Sequence, residues 1–93
     1  MLEKTIEQYL YKKVAQVRGW AIKLASQHHN GLPDRLVIFP GGKVYFVELK
    51  QKGQRPRASQ IHTHNMIKAL GFNVLVIDSK EQVNEFIKTA TTA

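Results

Sequence analysis

Gly31-Leu32-Pro33-Asp34-Arg35-Leu36-Val37-Ile38-Phe39, then Pro40-Gly41-Gly42, then Lys43-Val44-Tyr45-Phe46-Val47-Glu48-Leu49-Lys50 is the stretch on which the fold turns. Two apolar runs rich in β-branched and aromatic residues flank a Gly-rich turn, the pattern of a β-hairpin. Side chains alternate along a strand, so Glu48 and Lys50 share a face, about 7 Å apart along it. Asp34 opens the partner strand, just after a Gly-Leu-Pro bend. Loop length decides whether the two acids can meet. Were Gly41-Gly42 a two-residue loop, Asp34 would oppose Leu49 and Glu48 would point to the other face. A three-residue loop, Pro40-Gly41-Gly42, sets Asp34 opposite Glu48, and Gly42 supplies the positive φ such a loop ends on without steric cost. The longer loop is expected. Leu36, Ile38, Val44 and Phe46 fall on one face and Val37, Phe39, Tyr45, Val47 and Leu49 on the other. That is the pattern of a sheet covered on both sides. An Asp after Pro is common in turns, but a carboxylate near the end of a doubly covered strand needs a partner or a metal. Two carboxylates beside a lysine have the chemistry of a Mg²⁺ site, which takes oxygen ligands, waters and substrate phosphates. The lysine could hold a phosphate oxygen or position the attacking water.

Outward from the hairpin, Leu2, Ile6, Tyr9, Leu10, Lys13, Val14 and Val17 recur at helical spacing and predict an amphipathic first helix, ended by Gly19. Trp20 to Ala25 alternates and reads as a first strand. Ser26 to Gly31 is a polar loop. On the other side, Gln51 to Arg57 is polar, basic and without period. Pro56 can open a helix and Gly71 suits the position that closes it. Phe72 to Ile77 reads as a short buried strand. Ser79-Lys80-Glu81-Gln82 has the capping pattern of a last helix carrying Val83, Phe86 and Ile87. The order is α-β-β-β-α-β-α, an α/β fold whose fourth strand arrives through a helical crossover. No repeat, linker or low-complexity tract divides residues 1–93, so a single domain is expected.

Composition narrows the function classes. The 93 residues are 43% hydrophobic, which argues against disorder. The absence of cysteine excludes disulfides and thiolate zinc sites. Neither a signal-peptide layout nor an apolar run of membrane length is present, so a cytoplasmic protein is expected. Fourteen Lys+Arg against seven Asp+Glu give a net charge of +7, which attracts polyanions, phosphate backbones above all.

The Gly31-x-Pro33-Asp34 lead, the thirteen intervening residues and Glu48-x-Lys50 resemble the core of the restriction-endonuclease-like nucleases, Asp…(Asp/Glu)-x-Lys. The Gly-x-Pro-Asp lead and the later Ser59-Gln60 resemble, within that superfamily, the virus-type replication–repair nuclease (VRR-NUC) domain, over Glu7 to about Ile77. The resemblance implies a restriction-endonuclease-like core, α-β-β-β-α-β plus a C-terminal helix, with a mixed central sheet flanked by helices. It implies metal-dependent cleavage of DNA phosphodiesters, with Asp34, Glu48 and the Leu49 carbonyl holding Mg²⁺ or Mn²⁺ and Lys50 orienting the attacking water. Gln60 matches the family's helical glutamine, which would hold Lys50, a water or a phosphate. Glu7 corresponds to a first-helix glutamate that related junction resolvases keep near the metal; it has Tyr11, not a lysine, at i+4. Lys52, Arg55 and Arg57 lie beside the catalytic strand, placed to contact DNA phosphates. His28, His29, His62 and His64 have no zinc spacing. Stand-alone members resemble homodimers that nick four-way junctions, so a structure-selective Holliday-junction endonuclease of a phage or bacterium is expected. A nuclease of flap, nicking or restriction type and a non-catalytic DNA-binding module are the alternatives.

Overall fold

The computed structural model describes residues 2–25 and 31–92. The order is α1 (Glu3–Gln16), β1 (Trp20–Lys23), β2 (Arg35–Phe39), β3 (Lys43–Leu49), α2 (Ala58–Ala69), β4 (Asn73–Ile77) and α3 (Lys80–Thr91). The four strands form one sheet in the order β1-β2-β3-β4. The first three run antiparallel. β4 joins β3 in parallel, because α2 carries the chain back across the sheet before it begins.

Every expected element is present, with shifted ends. The left-handed residue closing α1 is Arg18 at φ 65°, not Gly19. Gly19 is required for room instead: a Cβ there would stand 2.8 Å from Val14 Cγ1 and 2.9 Å from the Ile38 carbonyl oxygen. β1 ends at Lys23, two residues short of the expected Ala25. α2 begins after an N-cap at Arg57, so Pro56 precedes the helix rather than opening it. Gly71 does follow α2 with φ 97°. Ser79 caps α3, its side chain accepting from the Gln82 amide.

The sheet's two faces are covered unequally. On one, Val37, Phe39, Val47, Leu49 and Ile77 pack against Ile6, Leu10 and Val14 of α1 and Val83, Phe86 and Ala90 of α3. Phe39, Tyr45 and Phe86 meet edge-to-face with centroids 5.2–5.8 Å apart, the geometry that the ring quadrupole favours. Among the described residues the other face carries only α2, which packs against β4. There Leu36, Ile38, Val44 and Phe46 are half-buried and Trp20 is 67% exposed. The apolar alternation of the hairpin thus overstates the cover: one face is closed, the other partly open. β4 is likewise less enclosed than its Val/Leu/Ile content suggests, since it is an edge strand with Asn73 and Val76 exposed.

Candidate functional site

The hairpin closes through the three residues Pro40-Gly41-Gly42, with Gly42 at φ 77° and Phe39 paired to Lys43. The register runs down to Arg35 opposite Val47. One pair further, Asp34 opposes Glu48 on the face that α2 covers. The expected register holds.

Asp34 is clamped from several directions. Its Oδ1 accepts from the Leu49 amide at 3.2 Å. Its carbonyl accepts from the Leu24 amide at 2.8 Å and from Arg35 Nη1 at 2.9 Å. Glu48, only 4% exposed, accepts at Oε2 from Gln60 Nε2 at 3.3 Å, with Lys50 Nζ at 3.7 Å from the same oxygen. Its Oε1 is buried with no hydrogen-bond partner among the described residues, which is costly for a carboxylate unless a ligand completes it. Burial, and then the charge of Asp34, push the Glu48 carboxyl up to about 7, against the opposing pull of Lys50. Asp34 is raised too, by burial, with Arg35 and the Leu49 amide opposing.

Gln60 reaches Glu48 because α2 comes unusually close to the loop before β2. Gly31 sits at φ 89°, and a Cβ on it would stand 2.3 Å from the Ser59 carbonyl oxygen. Only glycine permits that approach. Gln60 Oε1 accepts from the Arg57 amide at 2.8 Å, fixing the amide so that its NH₂ faces Glu48.

Glu7 is not gathered beside Glu48. Its carboxylate is ion-paired with the Arg35 guanidinium, and it meets Asp34 only through that arginine, whose Nη1 lies 3.7 Å from Asp34 Oδ1. Arg35, 2% exposed, also lies under Tyr11, 5.7 Å from the ring centroid. Sequence reasoning passed over Arg35, although a charge sharing the buried parity of Val37 and Phe39 was the available signal. Glu3, one turn before Glu7, adds a small upward push on both Asp34 and Glu48 through its charge. Lys52, Arg55 and Arg57 are exposed in a loop anchored where the Gly53 amide donates to Asp78 Oδ2 at 3.1 Å. His62 is exposed, and His64 is buried with Nε2 unpartnered among the described residues; burial, then Lys68 and Lys50, hold its imidazole below the ordinary range. His28 and His29 lie outside the described residues.

Among the described residues no three His, Cys, Asp or Glu side chains converge. The side-chain donors for a cation are therefore Asp34 and Glu48, two hard oxygen ligands whose crowding a divalent ion would relieve. That set fits Mg²⁺ or Mn²⁺, which keep several waters, rather than zinc.

No family model matches the chain. It is 42% identical over 79 residues, 85% of either chain, to p44 of Acyrthosiphon pisum secondary endosymbiont phage 1, which is named as a candidate nuclease. A solved structure described as a VRR_NUC domain superposes with a TM-score of 0.87 at 32% identity, covering 92% of this chain and 94% of that one. With its element order, its sheet and its sequence all shared, the chain belongs to the VRR-NUC, or virus-type replication–repair nuclease, domain family.

Proposed function

We propose that the protein is a metal-dependent DNA endonuclease that acts on branched DNA, four-way junctions above all, as a homodimer. The observation that carries the reading is the pair of carboxylates facing each other across the hairpin, with a lysine 3.7 Å from one and a buried carboxylate oxygen that has no hydrogen-bond partner among the described residues. Asp34, Glu48 and the Leu49 carbonyl would hold Mg²⁺ or Mn²⁺. When bound, the cation supplies positive charge against the scissile phosphate and brings water's ionisation toward neutral pH.

The remaining work falls to the chain's own groups. Gln60 holds Glu48 Oε2 and leaves Oε1 directed to the ligand side. Lys50, cationic and beside Glu48, orients the attacking water and balances charge developing on the phosphate oxygens. Arg35 fixes Asp34 through its carbonyl. The exposed Lys52, Arg55 and Arg57 bind flanking phosphates, a contact that positions without reading sequence. None of the elements offers a base-reading helix, so selection by DNA shape suits the molecule better than selection by sequence.

The test uses four-way junction, flap and linear duplex substrates of equal length, with Mg²⁺ and with chelator. Wild type is expected to nick the junction symmetrically in Mg²⁺ only, and Glu48→Ala to bind the junction without cutting it. Cleavage of all three substrates at equal rates would remove the junction preference. Normal cleavage by Glu48→Ala would overturn the mechanism.

A further inference from the structure

The face of the sheet that carries Asp34 and Glu48 runs on beyond them. Antiparallel partners point the same way, so the pairing of Trp20 with Ile38 and of Ile22 with Leu36 puts Trp20 on the face of the two acids. α2 packs against β4, at the other edge of the sheet, and the β1–β2 half of this face has no helix over it among the described residues. Trp20 is 67% exposed there, beside the half-buried Ile22, Leu36 and Ile38. From the level of Ile38 to that of Asp34 is about 14 Å along the strand. That is about four steps of one stacked DNA strand.

An exposed indole on a half-buried apolar floor suits a flat ligand with a π-face, and the surrounding charges choose which. Of the seven acids in the chain, Glu3 and Glu7 belong to α1 and Glu81 and Glu85 to α3, behind the sheet. Asp78 follows β4, at the edge farthest from β1. β1, β2 and α2 carry no acid. Basic groups stand at the two ends of β1 instead: Arg18, two residues before it, and Lys23, its last residue, are both exposed. A ligand with aromatic faces and an anionic backbone complements such a surface, and a nucleic acid strand has both. A base inside a duplex spends its faces on its neighbours, whereas a base at a branch or in a single strand can offer one.

We infer that Trp20 is a stacking platform for an unstacked nucleobase of the DNA bound at Asp34 and Glu48, about four nucleotides from the phosphate held there. The inference rests on the proposed DNA cleavage and adds the part of the substrate that this face reads. Phosphates attract any DNA, so the basic loop beside β3 does not tell branched from fully paired DNA. Stacking on an aromatic side chain does, because it needs a base whose face is free. Arg18 and Lys23 hold the backbone on either side of that base, and Ile22, Leu36 and Ile38 support the ring from below. Trp20 touches no reacting atom. It contributes affinity and branch selectivity, not chemistry.

Trp20 is the sole tryptophan of the chain, so the protein's own indole emission tests this directly. The full chain is titrated in chelator with a four-way junction, a duplex carrying a single-stranded tail, and a relaxed duplex circle without ends. The first two are expected to quench the emission at least about fivefold more than the circle does. Trp20→Leu, checked for folding by circular dichroism, should weaken junction binding about 10-fold, and Trp20→Phe less than about 3-fold. Neither removes a charge, so the slope of log affinity against log salt should stay as in wild type. Junction binding without quenching, equal quenching by the circle, or a folded Trp20→Leu of wild-type junction affinity overturns the inference. Cleavage of the junction by wild type in Mg²⁺ would in each case leave the proposed function standing. Emission that moves to the blue with protein concentration alone, and then ignores DNA, gives the floor to another protein molecule and also overturns the inference. Failure to bind any of the three DNAs overturns both.

Discussion

Glu48 shows how one side chain can be stressed in the empty protein and suited to its ligand. Burial, and then the charge of the facing Asp34, push its carboxyl up to about 7. A raised carboxyl binds its proton in the folded chain where the unfolded chain has already released it. Without divalent cation, stability should therefore fall as pH rises from about 4.5 to about 7 and level off above that. Thermal melts in chelator across this range check the sign, and added Mg²⁺ should raise the midpoint more at about pH 8 than at about pH 5. Cleavage at limiting Mg²⁺ should climb roughly tenfold per pH unit below about 7, where proton and cation compete. Arg35 is the second residue whose removal should be costly. Arg35→Met leaves Glu7 and the Asp34 carbonyl without their shared partner, at an expected cost of about 3 kcal/mol in urea unfolding. Its burial also separates what was legible from what was not. Asp34, Glu48 and Lys50 announced themselves as charges in apolar strands. Arg35 was masked by the motif beside it, and the Glu7–Arg35 pair joins residues 28 apart in the chain, beyond any local pattern.

Among the elements, the hairpin was readable down to its register because loop chemistry and strand parity constrain each other. Deleting Gly41 leaves Pro40 joined to Gly42 between Phe39 and Lys43, and Pro40 cannot take the positive φ that a two-residue turn needs at its first position. The loop should recover its third residue from Lys43, which slips the pairing by one and turns Glu48 away from Asp34. Loss of cleavage with retained sheet signal in circular dichroism is the expected outcome. Gly31 matters for a different reason. Gly31→Ala must either strain the backbone or push α2 off the loop, so Gln60 should lose Glu48, with lower stability and activity together. The helix ends were less legible. Arg18 takes the left-handed position where glycine was expected, because Gly19 is committed to clearance beneath Val14 and Ile38. The incomplete cover of the sheet was hidden for a similar reason. Alternating apolar residues record that a face is to be buried, not whether the same chain buries it.

For the whole molecule, the net charge of +7 predicts steep salt dependence of DNA binding. Replacing Lys52, Arg55 and Arg57 together by alanine should reduce the slope of log affinity against log salt by about 2 to 3 if all three contact phosphates. Filter binding at several salt concentrations checks this. The three-residue loop has a last consequence, for assembly of the protein rather than for its chemistry. Asp34 and Glu48 are brought together by a hairpin, a local contact that can form early, whereas β4 must wait for the α2 crossover. The mutual repulsion of the two acids then weighs on the folding nucleus as well as on the finished site. Refolding above about pH 7 should accordingly be faster in Mg²⁺ than in chelator, with Glu48→Gln refolding quickly in both.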